Sequence, residues 1–289
     1  MEKVKFRLKG HESFILREGW LNKGLSVVAT NPRVFQENSG ADALGVGTNM
    51  AKSIRYWLRT AKLMKENSTH GATLTPLGQM IFENDPYLED EFSFWLIHVN
   101  IARNFEQATS WNLFFNTLES STFTRENLYE MMKTSFEVKT GESLPSVRSL
   151  TDDCSAILAM YTENRFDYSD PEDKRNSPFA SLGLLHQAGD TYEKMHPSMR
   201  DLHYGIIYYM IQNVLKKEKS LRIDDIVEQD DMPGKLLNLS RVLVNEYLDI
   251  LQAKRYVTVN RAAGLDMIYP NSQDTADDIV DKYYGKRLN

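Results

Sequence analysis

Four cations recur at helical spacing in one stretch of the chain: Lys52, Arg55, Arg59 and Lys62. Steps of three or four residues place side chains on one face of an α-helix. What a face of a single positive sign can do is neutralise phosphates, and the obvious bearer is DNA. Thr48, Asn49, Ser53 and Tyr56 are grouped with these cations as the expected DNA-binding residues of this helix. A sparser second set, Lys235, Asn238 and Arg241, lies near the other end of the chain, with Glu246 and Asp249 close by. DNA binding, dimerisation and partner docking all stay open for that second set.

Other chemistry finds little support. His186, His196 and His203 fall within one stretch, but their spacing matches no helical pair and no acidic ligand is fixed beside them, so no metal site is expected. The doublets Asp152-Asp153 and Asp230-Asp231 occupy adjacent helical positions that point apart, and read as capping and solvated charge. The sequence holds no nucleotide-binding glycine loop, no zinc motif, no nucleophile elbow and no convincing carboxylate cluster. No catalytic residue and no cofactor are therefore expected.

The cationic residues must be carried by a helix starting near Thr48, because Gly45 and Gly47 break the preceding segment and Thr48 or Asn49 can cap a first turn. Its apolar stripe is Met50, Ile54, Trp57, Leu58, Ala61 and Leu63 or Met64. A turn-rich tip from Glu66 to Gly71, the β-prone run 72–75 and an apolar return after Pro76 complete the order of a winged helix-turn-helix, whose long helix enters the major groove. Upstream, Val4, Phe6 and Leu8 alternate with Lys3, Lys5, Arg7 and Lys9 as in a half-buried strand. A first helix is expected from about Arg17 to Ala29, with Trp20, Leu21, Leu25 and Val28 inward.

Downstream, Phe94, Trp95, Leu96, His98, Ile101 and Ala102 describe a densely apolar helix after an acidic first turn, and Trp111, Phe114, Phe115 and Leu118 another. Such aromatic density at helical spacing in an acidic region reads as core and not as a base-stacking platform. Helices follow from Thr124 to Val138 and from about Ser146 to Tyr161, and the charged stretch 162–178 reads as a boundary or exposed loop. The last third repeats the opening order: a long apolar helix 197–217, a short one 221–229, a turn at Met232-Pro233-Gly234, a long helix 235–254 and two strands about a polar turn at 260–266. In that long helix Leu239, Val242, Leu243, Tyr247, Leu248 and Leu251 would be buried.

Charge is divided unevenly along the 289 residues. The net value of −6 hides 12 Lys/Arg against 6 Asp/Glu in residues 1–75 and 10 against 20 in residues 76–200. Affinity for phosphates depends on local charge, so the basic first quarter can meet a duplex while the acidic middle faces proteins. With 42% hydrophobic residues the chain can bury real cores. One cysteine, Cys154, excludes an intramolecular disulfide, and no signal region or membrane-length apolar run is present, so no membrane partner is expected and the cytoplasm is the expected location.

The runs GHESFILREGWLNKG, NPRVFQ, LGVGTNMAKSIRYWLRTAKLM, LTPLGQMIF, DPYLED, WLIHVNIA and TSWNLFFN, in that order and spacing, resemble a prokaryotic family known as domain of unknown function 4007. The resemblance runs over most of the chain. Members of that family are associated with antiphage islands, often near sulfurtransferases resembling phosphoadenosine-phosphosulfate reductase, as in DNA phosphorothioation and BREX-like systems. It implies a defence role by context and brings no catalytic residues.

The sequence is thus expected to fold as a mainly α protein with winged helix-turn-helix domains at both ends, residues 1–84 and 197–289, about a helical middle region, residues 85–196. Its expected function is that of a non-catalytic, double-stranded-DNA-binding component of an antiphage system. The rival expectation is an adaptor whose winged helices dock a sulfurtransferase, ATPase or nuclease. Other proteins of a defence complex are expected partners, and a homodimer stays open.

Overall fold

The structure, a computed structural model, describes residues 4–36, 38–163, 177–262 and 265–285. It is mainly helical, with three small antiparallel sheets among the described residues. Its contacts divide it into two compact units, Met1–Met195 and His196–Asn289.

The first unit opens with a segment that is not a strand. Its alternation is real, but its backbone donors go to side chains: Arg7 N–H to Thr109 Oγ1 (2.8 Å) and Lys9 N–H to Asp153 Oδ1 (3.0 Å). Phe6 meets Phe136 edge-on, and no strand neighbour is needed. Helix α1 (Trp20–Thr30) starts later than the periodicity predicts, after Gly19 in the left-handed region (φ 80°). It buries Trp20, Leu21, Leu25 and Val28 as read. Helix α2 (Ala41–Leu44) and helix α3 (Thr48–Thr60) follow, and α3 crosses α1 where Gly24 admits Leu58 and Ile54.

Strands β1 (Met64–Asn67) and β2 (Gly71–Leu74) form a hairpin in the register Met64↔Leu74, Asn67↔Gly71. Helix α4 (Pro76–Asn84) is capped by Thr75, whose Oγ1 accepts from Gly78 N–H and donates to the Lys62 carbonyl (2.6 Å). Gly78 is held to glycine because any Cβ there would collide with the Leu63 carbonyl.

Helix α5 (Glu91–Ala102), capped by Asp90, is buried on every side beyond its first residue, and α6 (Thr109–Thr117) is buried up to its last. Together they make a centre in which Trp95, Trp111, Phe114 and Phe115 are fully enclosed. The aromatic density is core. Strand β3 (Thr122–Thr124) leads into α7 (Arg125–Thr140), where Thr124 and Asn127 form a reciprocal cap, and α8 (Val147–Tyr161) is capped by Ser146. The expected boundary at 162–178 lies mostly on residues outside those described. Strands β4 (Leu185–Ala188) and β5 (Thr191–Lys194) join β3 in the order β3-β5-β4, a sheet the periodicity does not announce.

The second unit runs α9 (Tyr204–Glu218), β6 (Leu221–Arg222), α10 (Ile223–Glu228), α11 (Pro233–Leu236), α12 (Arg241–Ala253), β7 (Val257–Ala262), β8 (Leu265–Pro270) and α13 (Ala276–Gly285), with the sheet order β6-β8-β7. Three expectations are corrected here. The expected helix 197–217 begins only at Tyr204, where the His203 side chain caps it. The expected helix 235–254 is two: Asn238 takes a left-handed φ of 51°, and Ser240 caps a fresh start by accepting from Leu243 N–H. Val242, expected inside, is 66% exposed, and Val244 is buried in its place. The turn between α11 and α12 resets the phase of the stripe.

Candidate nucleic-acid interface

Helix α3 is oriented by what it buries. Trp57, Leu58, Ile54 and Ala51 are enclosed, and so are Ser53 and Tyr56. The Ser53 hydroxyl and the Trp57 indole N–H both point to the Phe14 carbonyl (3.4 Å each), and the Tyr56 hydroxyl donates to the Gln107 carbonyl (3.0 Å). Ser53 and Tyr56 are therefore removed from the DNA-contacting set. Their polar ends are used inside the first unit, because the segment before α1 and the α5–α6 connection cover that side of the helix.

The remaining residues of the set stay at the surface. Thr48, Asn49, Lys52, Arg59 and Lys62 are exposed and Arg55 is half-buried. Arg55 and Arg59 are engaged by one acid from the hairpin: Glu66 accepts from Arg55 Nε (2.8 Å) and Nη2 (3.0 Å), and its second oxygen lies 3.6 Å from Arg59 Nε. Arg55 also lies over the Phe35 ring, its Cζ 5.6 Å from the centroid. The helix carries no acid on this face, as the sequence shows, yet the hairpin brings one. The signal was available, since Glu66 is the sole acidic residue between Asp42 and Glu83.

The hairpin is fixed to the loop before α2. Ala72 N–H donates to the Pro32 carbonyl (2.7 Å), and Gly71 (φ 74°) sits where a Cβ would strike that carbonyl. Two exposed cations that sequence reasoning left out join the surface this way, Lys65 on β1 and Arg33 beside Pro32. Between helix, hairpin and loop lies a groove of about 320 Å³, with Phe35, Arg55, Glu66 and Asn67 in its wall.

A buried polar cluster stands behind the helix. Asp153 accepts from Lys9 N–H and from the Ser110 hydroxyl (2.6 Å), and His11 Nε2 lies 2.9 Å from Asp153 Oδ1. Asp152 pairs with Lys9 Nζ at the surface as solvated charge, but Asp153 is corrected to a core acceptor, 1% exposed. Burial first and Asp153 second push the Tyr56 hydroxyl far above the ordinary tyrosine range, and push the Cys154 thiol up to about 12. Burial favours the protonated form of both, and the Cys154 side chain is enclosed in the core.

In the second unit Lys235 lies on α11, Asn238 in the turn after it and Arg241 at the first position of α12, so the three do not share a helix. Arg241 is clasped by Asp224 from α10 and Asp266 from β8, and Arg261 by Asn245 and Asp249. His186 lies on β4 in the first unit and His203 caps α9 in the second. Among the described residues no group of three or more His, Cys, Asp or Glu side chains is placed to hold a metal ion, and no helix is long and apolar enough to cross a membrane.

The chain matches the family described as "Protein of unknown function (DUF4007)" over residues 8–284, and it belongs to that family. Two solved structures share its fold. One, described as "Magnesium ion-bound SspB crystal structure", superposes with a TM-score of 0.84 at 26% identity, covering 96% of this chain and 88% of that one. The other, "SspB crystal structure", gives 0.83 at the same identity and coverage. No curated protein matches the sequence.

Proposed function

We propose that this member of the DUF4007 family is a non-catalytic double-stranded-DNA-binding component of an antiphage defence system, reading DNA with α3 and flanking it with the β1–β2 hairpin. The reading takes α1, α3 and the hairpin as a winged helix-turn-helix within residues 1–84, followed by a helical middle and a second such domain over 197–289. One observation carries it: Arg33, Lys52, Arg55, Arg59, Lys62 and Lys65 lie at or near the surface of the helix, the hairpin and the adjoining loops, while α3 and the hairpin themselves carry one acid, Glu66. Phosphate contacts from long cationic side chains supply most non-specific affinity for a duplex. In this reading Thr48 and Asn49, exposed at the start of α3, meet base edges or phosphates, as the first residues of a recognition helix do. The defence role rests on the company the family keeps, and the cytoplasm is the matching location.

The second unit is assigned to protein partners or a second copy of the chain. Arg241 and Arg261 are already balanced by three carboxylates, so little net charge is left there for phosphates. That pairing also favours the adaptor reading for this unit alone.

A band-shift titration of the full chain tests the reading, with plain and phosphorothioated duplexes at two salt concentrations. Because one structural neighbour is magnesium-bound, each titration is run with magnesium and with a chelator. Salt-sensitive retardation with intact strands supports the proposal. Absence of binding at low salt places the adaptor reading first, and strand breakage dependent on magnesium overturns the non-catalytic part.

A further inference from the structure

Glu66 is an anomaly in a basic surface. Its carboxylate takes both arginines of α3 and is itself only 16% exposed, whereas the Arg55 and Arg59 side chains are 39% and 41% exposed. The strand that carries it is fixed: Glu66 pairs with Ala72 across the hairpin, and Ala72 N–H is anchored on the Pro32 carbonyl. The acid is the rigid partner and the arginines the swinging ones. A two-pronged carboxylate on a guanidinium is also the closest side-chain analogue of a phosphate on a guanidinium, with two oxygens matching the same fork.

We propose that Glu66 is an internal stand-in for a DNA phosphate, which holds Arg55 and Arg59 aligned in the unbound protein and sets affinity by competing with the backbone phosphates that take them over. The inference rests on the DNA-binding reading above. In the unbound state the three groups carry a net single positive charge. A duplex therefore gains from two arginines only by leaving Glu66 to solvent, and weak or misplaced phosphates fail to displace it. Glu66 thus disfavours loose contacts more than well-aligned ones.

The test is the duplex affinity of full-length Glu66→Gln, which keeps the side chain's shape and removes its charge. One extra effective cation steepens the slope of log affinity against log salt by about 0.9, which near 0.1 M salt is a gain of about eightfold. Asp42→Asn removes an equal charge from an exposed acid bonded to Asn38 instead of an arginine, and is expected to gain less than about twofold. In a background of Arg55→Gln with Arg59→Gln, Glu66→Gln is expected to gain no more than Asp42→Asn does. Glu66→Ala repeats the measurement should Gln lower the melting temperature. Wild-type binding with no gain in Glu66→Gln, or an equal gain with the arginines removed, overturns the stand-in while leaving the DNA reading in place. Absence of salt-dependent binding in both wild type and Glu66→Gln overturns the two together.

Discussion

Trp57→Ala is the sharpest structural perturbation of the interface helix, because the orientation of α3 depends on which face is core. Trp57 is 0% exposed and meets Trp111 at 5.2 Å, Tyr56 at 4.9 Å and His11 at 6.0 Å between ring centroids. Truncating a fully enclosed tryptophan removes its transfer free energy and leaves a cavity walled by aromatic rings, at a cost of about 3 to 5 kcal/mol. The long 3.4 Å approach of its N–H to the Phe14 carbonyl adds little. Lys52→Ala, on the opposite and exposed face, is expected to change stability by less than about 0.5 kcal/mol. Urea denaturation followed by circular dichroism measures both, with the first unit's transition fitted separately if the two units melt apart. Equal shifts for the two variants would mean that buried stripe and outward face have been assigned the wrong way round.

Two further outcomes follow from buried hydroxyls and from paired charges. Tyr56, Tyr161 and Cys154 have folded-state pKa values raised above their ordinary ones, so the folded protein holds protons that the unfolded chain releases. Stability is then full below about pH 8 and falls as pH rises, by about 1.4 kcal/mol per pH unit for each group between its unfolded and folded pKa, Cys154 first and the tyrosines from about pH 10. Denaturation midpoints from pH 8 to pH 11 check this, and Tyr56→Phe should flatten the fall. Arg241→Gln breaks pairs that are partly exposed, so it should cost less than about 1 kcal/mol and change duplex affinity less than twofold; a large loss of DNA binding would move the reader to the second unit.

What could be read from the sequence was what is local. The stripe of α1, the start of α3 after Gly47 and the starts of α7 and α8 near Thr124 and Ser146 are settled within a turn or two of chain. Ser53 and Tyr56 misled because their types suit a surface, and only the fold shows that residues 14 and 107 bring carbonyls to meet them. The opening alternation misled similarly, since its partners are side chains more than 100 residues away. Glu66 reaches back from β1 to Arg55 on α3, a contact no helical period contains. The sheet β3-β5-β4 joins strands some 60 residues apart, and each is too short to carry a pattern of its own.

The most direct measurement of DNA binding by α3 and the hairpin is duplex affinity against salt for wild type and for Lys52→Glu with Lys65→Glu. Both lysines are exposed, one on the helix and one on the hairpin, so the exchange leaves the core intact. Three or more phosphate contacts predict a wild-type slope of about −3 or steeper, and the double reversal, which removes two attractions and adds two repulsions, is predicted to abolish binding. A wild-type slope near zero, or a reversal that binds as wild type does, would contradict the claim.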